Sequence, residues 1–83
     1  MYQLQISNRV TKALEKLPDE VYIRLREAIK ALADNPRPSG CKKLKGRKGY
    51  RIRVGDYRVV YEINDGILVV LIIDVGHRRE IYD

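Results

Sequence analysis

Hydrophobic positions along the chain follow first a strand period and then a helical one. Tyr2-Gln3-Leu4-Gln5-Ile6 alternates apolar and polar residues, the pattern of a half-buried strand. Val10, Ala13, Leu14 and Leu17 then recur at helical spacing and make one apolar helix face, with Ser7 placed to cap its start. Leu17-Pro18-Asp19-Glu20 ends that helix and begins another. Proline suits a helix start, and the two acids suit the positive end of the helix dipole. Val21, Leu25, Ala28, Ile29 and Leu32 form the second apolar stripe. Asn35-Pro36 stops it, because a residue before proline is pushed out of the α region. A connection this short predicts an antiparallel helical hairpin.

Beyond a loop at Pro36-Arg37-Pro38-Ser39-Gly40 the period changes back. Lys42 to Gly49 holds five basic residues and two glycines and reads as an exposed loop with room for a short strand around Leu44. Arg51-Ile52-Arg53-Val54 alternates, and Tyr57 to Tyr61 is rich in aromatic and β-branched residues, so both read as strands. Gly55-Asp56 between them is a two-residue hairpin signal, with glycine at the first central position of a II′ turn. That turn sets the register: Val54 faces Tyr57 and Arg53 faces Arg58. Tyr50, Ile52, Val54, Tyr57, Val59 and Tyr61 then share one face, toward the helices, while Arg51, Arg53, Arg58, Val60 and Glu62 share the other. After a second turn at Asn64-Asp65-Gly66, the unbroken run Ile67–Ile73 reads as a central strand buried on both faces. The expected fold class is α+β: an N-terminal strand and helical hairpin packed on one face of a mainly antiparallel four-stranded sheet. Residues 1–83 read as one domain.

Composition narrows the chemistry. No run of about eighteen apolar residues exists, so no membrane-spanning helix is expected, and the N-terminus has neither the basic nor the long apolar part of a signal peptide. Cys41 is the single cysteine, which excludes an internal disulfide and fits a reducing cytoplasm. One cysteine with one histidine cannot make a His/Cys zinc site, and no metal or cofactor is expected. The net charge of +6 is unevenly spread. Residues 37–58 hold nine Lys or Arg and one acid, whereas the rest holds eight basic and ten acidic residues. A basic patch of this kind attracts polyanions, although a lysine run also serves solubility.

Like charges directly opposite on a sheet are destabilising, so the Arg53–Arg58 pair points to a bound anion, with phosphate the first choice. If the last strand returns beside Tyr57–Ile63, its end brings His77, Arg78 and Tyr82 toward the same edge. Arg51, Arg53, Arg58, Arg78, His77 and Tyr82 would then have the makings of a metal-free ribonuclease site. Arginines neutralise a phosphate and its pentacovalent transition state, histidine moves protons near neutral pH, and tyrosine stacks on a base or takes part in proton transfer. Taken singly, His77 also suits a structural role, Tyr82 a terminal anchor, and Arg79–Glu80 a solvated pair.

At these residues the sequence resembles the RelE/ParE superfamily of bacterial and archaeal toxin–antitoxin toxins. The likeness runs along essentially the whole chain. Its specific part is Tyr50-Arg-Ile-Arg-Val-Gly-Asp-Tyr-Arg-Val-Val-Tyr-Glu-Ile together with Asp74-Val-Gly-His-Arg-Arg-Glu-Ile-Tyr82. The resemblance implies a ribosome-dependent endoribonuclease that cuts mRNA in the A site, neutralised by a RelB-like antitoxin. It implies site positions at Arg51, Arg53, Arg58, Arg78 and Tyr82; the basic loop, with Lys42, Lys43, Lys45, Arg47 and Lys48, is then expected to hold ribosomal RNA backbone. RelE-like toxins carry lysines where Arg51 and Arg53 stand, and arginine holds phosphate well but stays charged. The proton-transfer role therefore falls to His77 or Tyr82. The chain stops one residue after Tyr82, so the C-terminal helix of some relatives is not expected. The ParE branch, which shares the fold and inhibits DNA gyrase without cutting RNA, is the alternative.

Overall fold

Both helices form where the apolar periodicity places them. In a computed structural model, which describes residues 1–77, α1 spans Asn8–Glu15 and α2 spans Asp19–Asp34. The Ser7 hydroxyl accepts the Val10 backbone N–H, satisfying one of the orphan donors of the first turn of α1. Pro18 occupies the N-cap of α2 without a side-chain bond. Asn35, driven to an extended conformation ahead of Pro36, closes that helix.

The strands are β1 (Gln3–Ile6), β2 (Lys42–Lys43), β3 (Tyr50–Val54), β4 (Tyr57–Asn64) and β5 (Val69–His77). They form one mixed sheet in the order β1-β5-β4-β3-β2. β1 runs parallel to β5, and the other pairs are antiparallel. The sheet has five strands where the pattern predicted four. The addition is the two-residue β2, which pairs Lys42 with Arg51 and Lys43 with Tyr50. No apolar alternation signals it; a Leu44 N–H to Gly49 carbonyl bond and the buried Leu44 side chain hold it in place.

The helices cover one face of the sheet. α1 packs chiefly on β5, and α2 crosses β5, β1 and β3. Val10, Leu14, Leu25, Ile29 and Leu32 meet Ile52, Val59, Tyr61, Val70, Ile72 and Val75 in one buried cluster, the two apolar stripes and the strand face expected from the sequence. No helix among the described residues is long and apolar enough to cross a membrane.

The last strand differs from its expected form. Ile67 and Leu68 belong to the turn, exposed, with Leu68 at φ 55°. The strand starts at Val69, lies second from the edge, and is deeply buried only on its helix side. It also carries a bulge: Val60 pairs with Asp74 and Tyr61 with Ile72, which leaves Ile73 as the extra residue.

Candidate active site

The hairpin of β3 and β4 carries three arginines to the face that the helices leave open. Gly55 has φ 61° and Asp56 stays at negative φ, so the turn is of the II′ type. Val54 pairs with Tyr57 and Arg53 with Arg58, the expected register. Two cross-strand rows result. Arg53, Arg58 and Gly76 form one; Lys42, Arg51, Val60 and Asp74 form the other. Directly paired residues project on the same side of a sheet, and diagonal neighbours lie roughly 7–8 Å apart. Arg51 is buried, Arg58 half-buried and Arg53 exposed. Val60 packs with Leu44 and Ile73 to floor the second row.

The basic loop flanks this face. Lys42, Lys43, Lys45, Arg47 and Lys48 are all exposed, while Leu44 and Gly49 between them are buried. Gly49 adopts φ 124°, and a Cβ there would lie 2.9 Å from the Tyr61 carbonyl oxygen. Only glycine permits that approach, so the lysine loop is tied to the sheet that holds the arginines.

Two of the expected site residues, Arg78 and Tyr82, lie outside the described residues. His77 lies within them, on the opposite face from the arginines. It pairs with Tyr57, and the two rings meet edge to face at 5.6 Å. With Ala13, Lys16, Leu17 and Val75 they line a cleft of about 290 Å³ on the helix side. The bulge is the cause. An unbroken alternation from Ile72 would put Asp74 toward the helices and His77 beside the arginines; one extra residue reverses both.

Asp74 therefore joins the cationic face, a placement that sequence reasoning missed. The signal available was a single carboxylate interrupting an apolar run. Its Oδ1 accepts the Val75 N–H at 3.0 Å, and its Oδ2 lies 3.5 Å from the Arg9 guanidinium. Arg9, itself largely exposed, reaches it from the start of α1.

At the other end of the sheet, Arg37 stacks over Tyr50 at 5.3 Å and pairs with Asp65 at 3.0 Å. Tyr2 donates to the same carboxylate. These bonds hold Asp65 below the usual carboxylate range, Arg37 first and Tyr2 second. The buried Tyr61 hydroxyl donates to the Pro36 carbonyl at 2.7 Å. This network anchors the loop after α2 at the Tyr50–Tyr61 pair, on the helix side and next to the Arg51 row.

The family model for the ParE toxin of the type II toxin–antitoxin system parDE matches residues 4–82. A relative assigned as toxin RelE1 of Methanocaldococcus jannaschii is 32% identical over 85 residues, covering 98% of this chain and 94% of the relative. Among solved structures, the archaeal RelE–RelB complex of Pyrococcus horikoshii superposes with a TM-score of 0.83 at 36% identity, covering 93% of this chain and 94% of that one. The intact Escherichia coli RelBE toxin–antitoxin complex gives 0.81 at 31%, covering 93% and 96%. With this fold, the family match and these relatives make the chain a toxin of a toxin–antitoxin system. The chain belongs to the RelE/ParE superfamily of type II toxins.

Proposed function

We propose that this toxin is a ribosome-dependent endoribonuclease that cuts mRNA in the A site without a metal, and that a RelB-like antitoxin neutralises it. The observation that carries this reading is the arginine row on the sheet face away from the helices. Arg53 and Arg58 are paired directly and Arg51 lies in the adjoining row. Three permanent cations there form a preorganised site for a phosphate whose negative charge grows in the transition state. RNA cleavage by its own 2′-hydroxyl asks for little beyond positioning, charge stabilisation and proton transfer. Arg78 and Tyr82 complete the site by resemblance, Arg78 on the phosphate and Tyr82 stacking on a base or serving the leaving group. His77, facing the helices, supports Tyr57 from the cleft side. The exposed lysine loop grips ribosomal RNA backbone, which makes binding steeply salt-dependent. The relatives' complexes with RelB support the antitoxin partner, and a cytoplasmic location follows from a ribosomal target.

The experiment is primer-extension mapping of mRNA on programmed ribosomes, with wild type and Arg58→Ala. Site-specific cleavage by wild type and its loss in the variant is the expected result. A second reading, a DNA gyrase inhibitor without nuclease activity, draws support from the ParE family model. Intact mRNA together with inhibited supercoiling would select it.

A further inference from the structure

The arginine face has a chemical deficit. Arg51, Arg53 and Arg58 remain charged at any working pH and cannot take a proton from a 2′-hydroxyl. His77, the sole histidine of the chain, projects from the opposite face. Among the described residues in the two rows, Asp74 is the one carboxylate.

We propose that Asp74 is the general base of the cleavage reaction, a proposal that rests on the mRNA-cleavage reading above. A phosphate seated on Arg53 and Arg58 brings the adjoining ribose toward the second row. Asp74 stands diagonal to Arg58 across the β4–β5 pair. The Asp74 carboxylate takes the 2′-hydroxyl proton, and O2′ forms a bond to phosphorus. The bond from phosphorus to O5′ breaks, and O5′ leaves with a proton from water. The products are a 2′,3′-cyclic phosphate and a 5′-hydroxyl. The Val75 N–H holds the Asp74 carboxylate at Oδ1; Arg9, largely exposed and 3.5 Å from Oδ2, takes no part in the step. The bulge at Ile73 belongs to the mechanism, since it turns Asp74 to this face. Bulges that re-aim one side chain are a recurrent device beside active sites.

The charged groups nearest Asp74 are Arg9 on α1, 3.5 Å from Oδ2, and Arg58 and Glu62 on β4, while Arg51 on β3 and Lys42 on β2 continue its row farther across the sheet. In so cationic a setting, a carboxylate that only filled space would weaken RNA binding. Binding and chemistry should therefore move in opposite directions when its charge is removed. The test is single-turnover cleavage on programmed ribosomes, saturating in toxin, with wild type, Asp74→Asn, Asp74→Ser and Arg9→Ala. Asp74→Asn and Asp74→Ser should lower the rate by about 10²-fold or more and bind ribosomes at least as tightly as wild type. Arg9→Ala should stay within a few-fold of wild type. Wild-type rates in either folded Asp74 variant would overturn the proposal while leaving the cleavage reading intact. So would an Arg9→Ala loss as large as that of Asp74→Asn, because the ion pair alone would then explain it. A wild type that leaves the mRNA uncut overturns the cleavage reading, and the proposal with it.

Discussion

Arg53 and Arg58 stand directly opposite each other across the Gly55–Asp56 turn. Like charges in that position work against the hairpin that carries them. Replacing Arg53, the exposed member, by glutamate turns the repulsion into an attraction. Arg53→Glu should stabilise the fold by about 0.2–1 kcal/mol while abolishing growth arrest on induction. Thermal melts and a growth assay check the two halves. A lower Tm would show that the hairpin does not feel the repulsion.

The lysine loop should act on affinity and leave the chemical step alone. Lys45, Arg47 and Lys48 are exposed and lie outside both arginine rows. Their triple alanine variant should bind ribosomes more weakly, with a shallower dependence of log affinity on log salt, because fewer counterions are released. Its cleavage rate at saturation should match wild type. Filter binding across a salt series, paired with single-turnover kinetics, separates the two effects.

Gly49 is the tightest backbone approach on this face. An alanine there meets the Tyr61 carbonyl at 2.9 Å and must adopt φ 124°. Gly49→Ala should cost at least about 1–3 kcal/mol from backbone strain alone. Urea unfolding measures it; a loss under 0.5 kcal/mol, the ordinary size of a surface change, would mean that the loop relaxes freely.

Tyr61 should set the alkaline limit of stability. Burial first, and the neighbouring Cys41 second, push its hydroxyl above the ordinary value of 10.0. A group whose folded pKa is raised contributes stability that is present below the unfolded value and lost as pH rises through the folded one. Stability should therefore fall above about pH 10. Tyr61→Phe should flatten that fall. At pH 7 the same variant should be less stable by about 0.5–1.5 kcal/mol, from the lost bond to Pro36.

Asp65 governs the acid side through the opposite sign. Arg37, then Tyr2, lower its pKa from 3.8. A carboxylate depressed in this way contributes stability above its unfolded value and loses it as pH falls through the folded one. Asp65→Asn should therefore narrow the stability difference between pH 6 and pH 3. An unchanged Tm difference between those two pH values would remove Asp65 from the account of acid sensitivity.

Much of this was written in short-range pattern. The apolar stripes of both helices, the Ser7 cap and the Asn35-Pro36 stop depend on neighbours within a turn or two. The Arg53–Arg58 register depends on one two-residue turn, whose glycine leaves little choice of geometry. The arginine face was thus legible from the chain alone, because alternation along a strand carries a known register to every position nearby.

The bulge at Ile73 obeys no such rule. It arises because β5 must satisfy β4 with one residue more than β4 supplies between Val60 and Tyr61, a count that belongs to two strands together. No local pattern marks it, yet it decides that Asp74 faces the arginines and His77 the helices. Sequence by itself determined the elements and the cationic hairpin, where turn chemistry and side-chain period act over a few residues. The tertiary structure alone decided which titratable group joins that hairpin, because facing across a sheet is fixed by strand pairing over long separations.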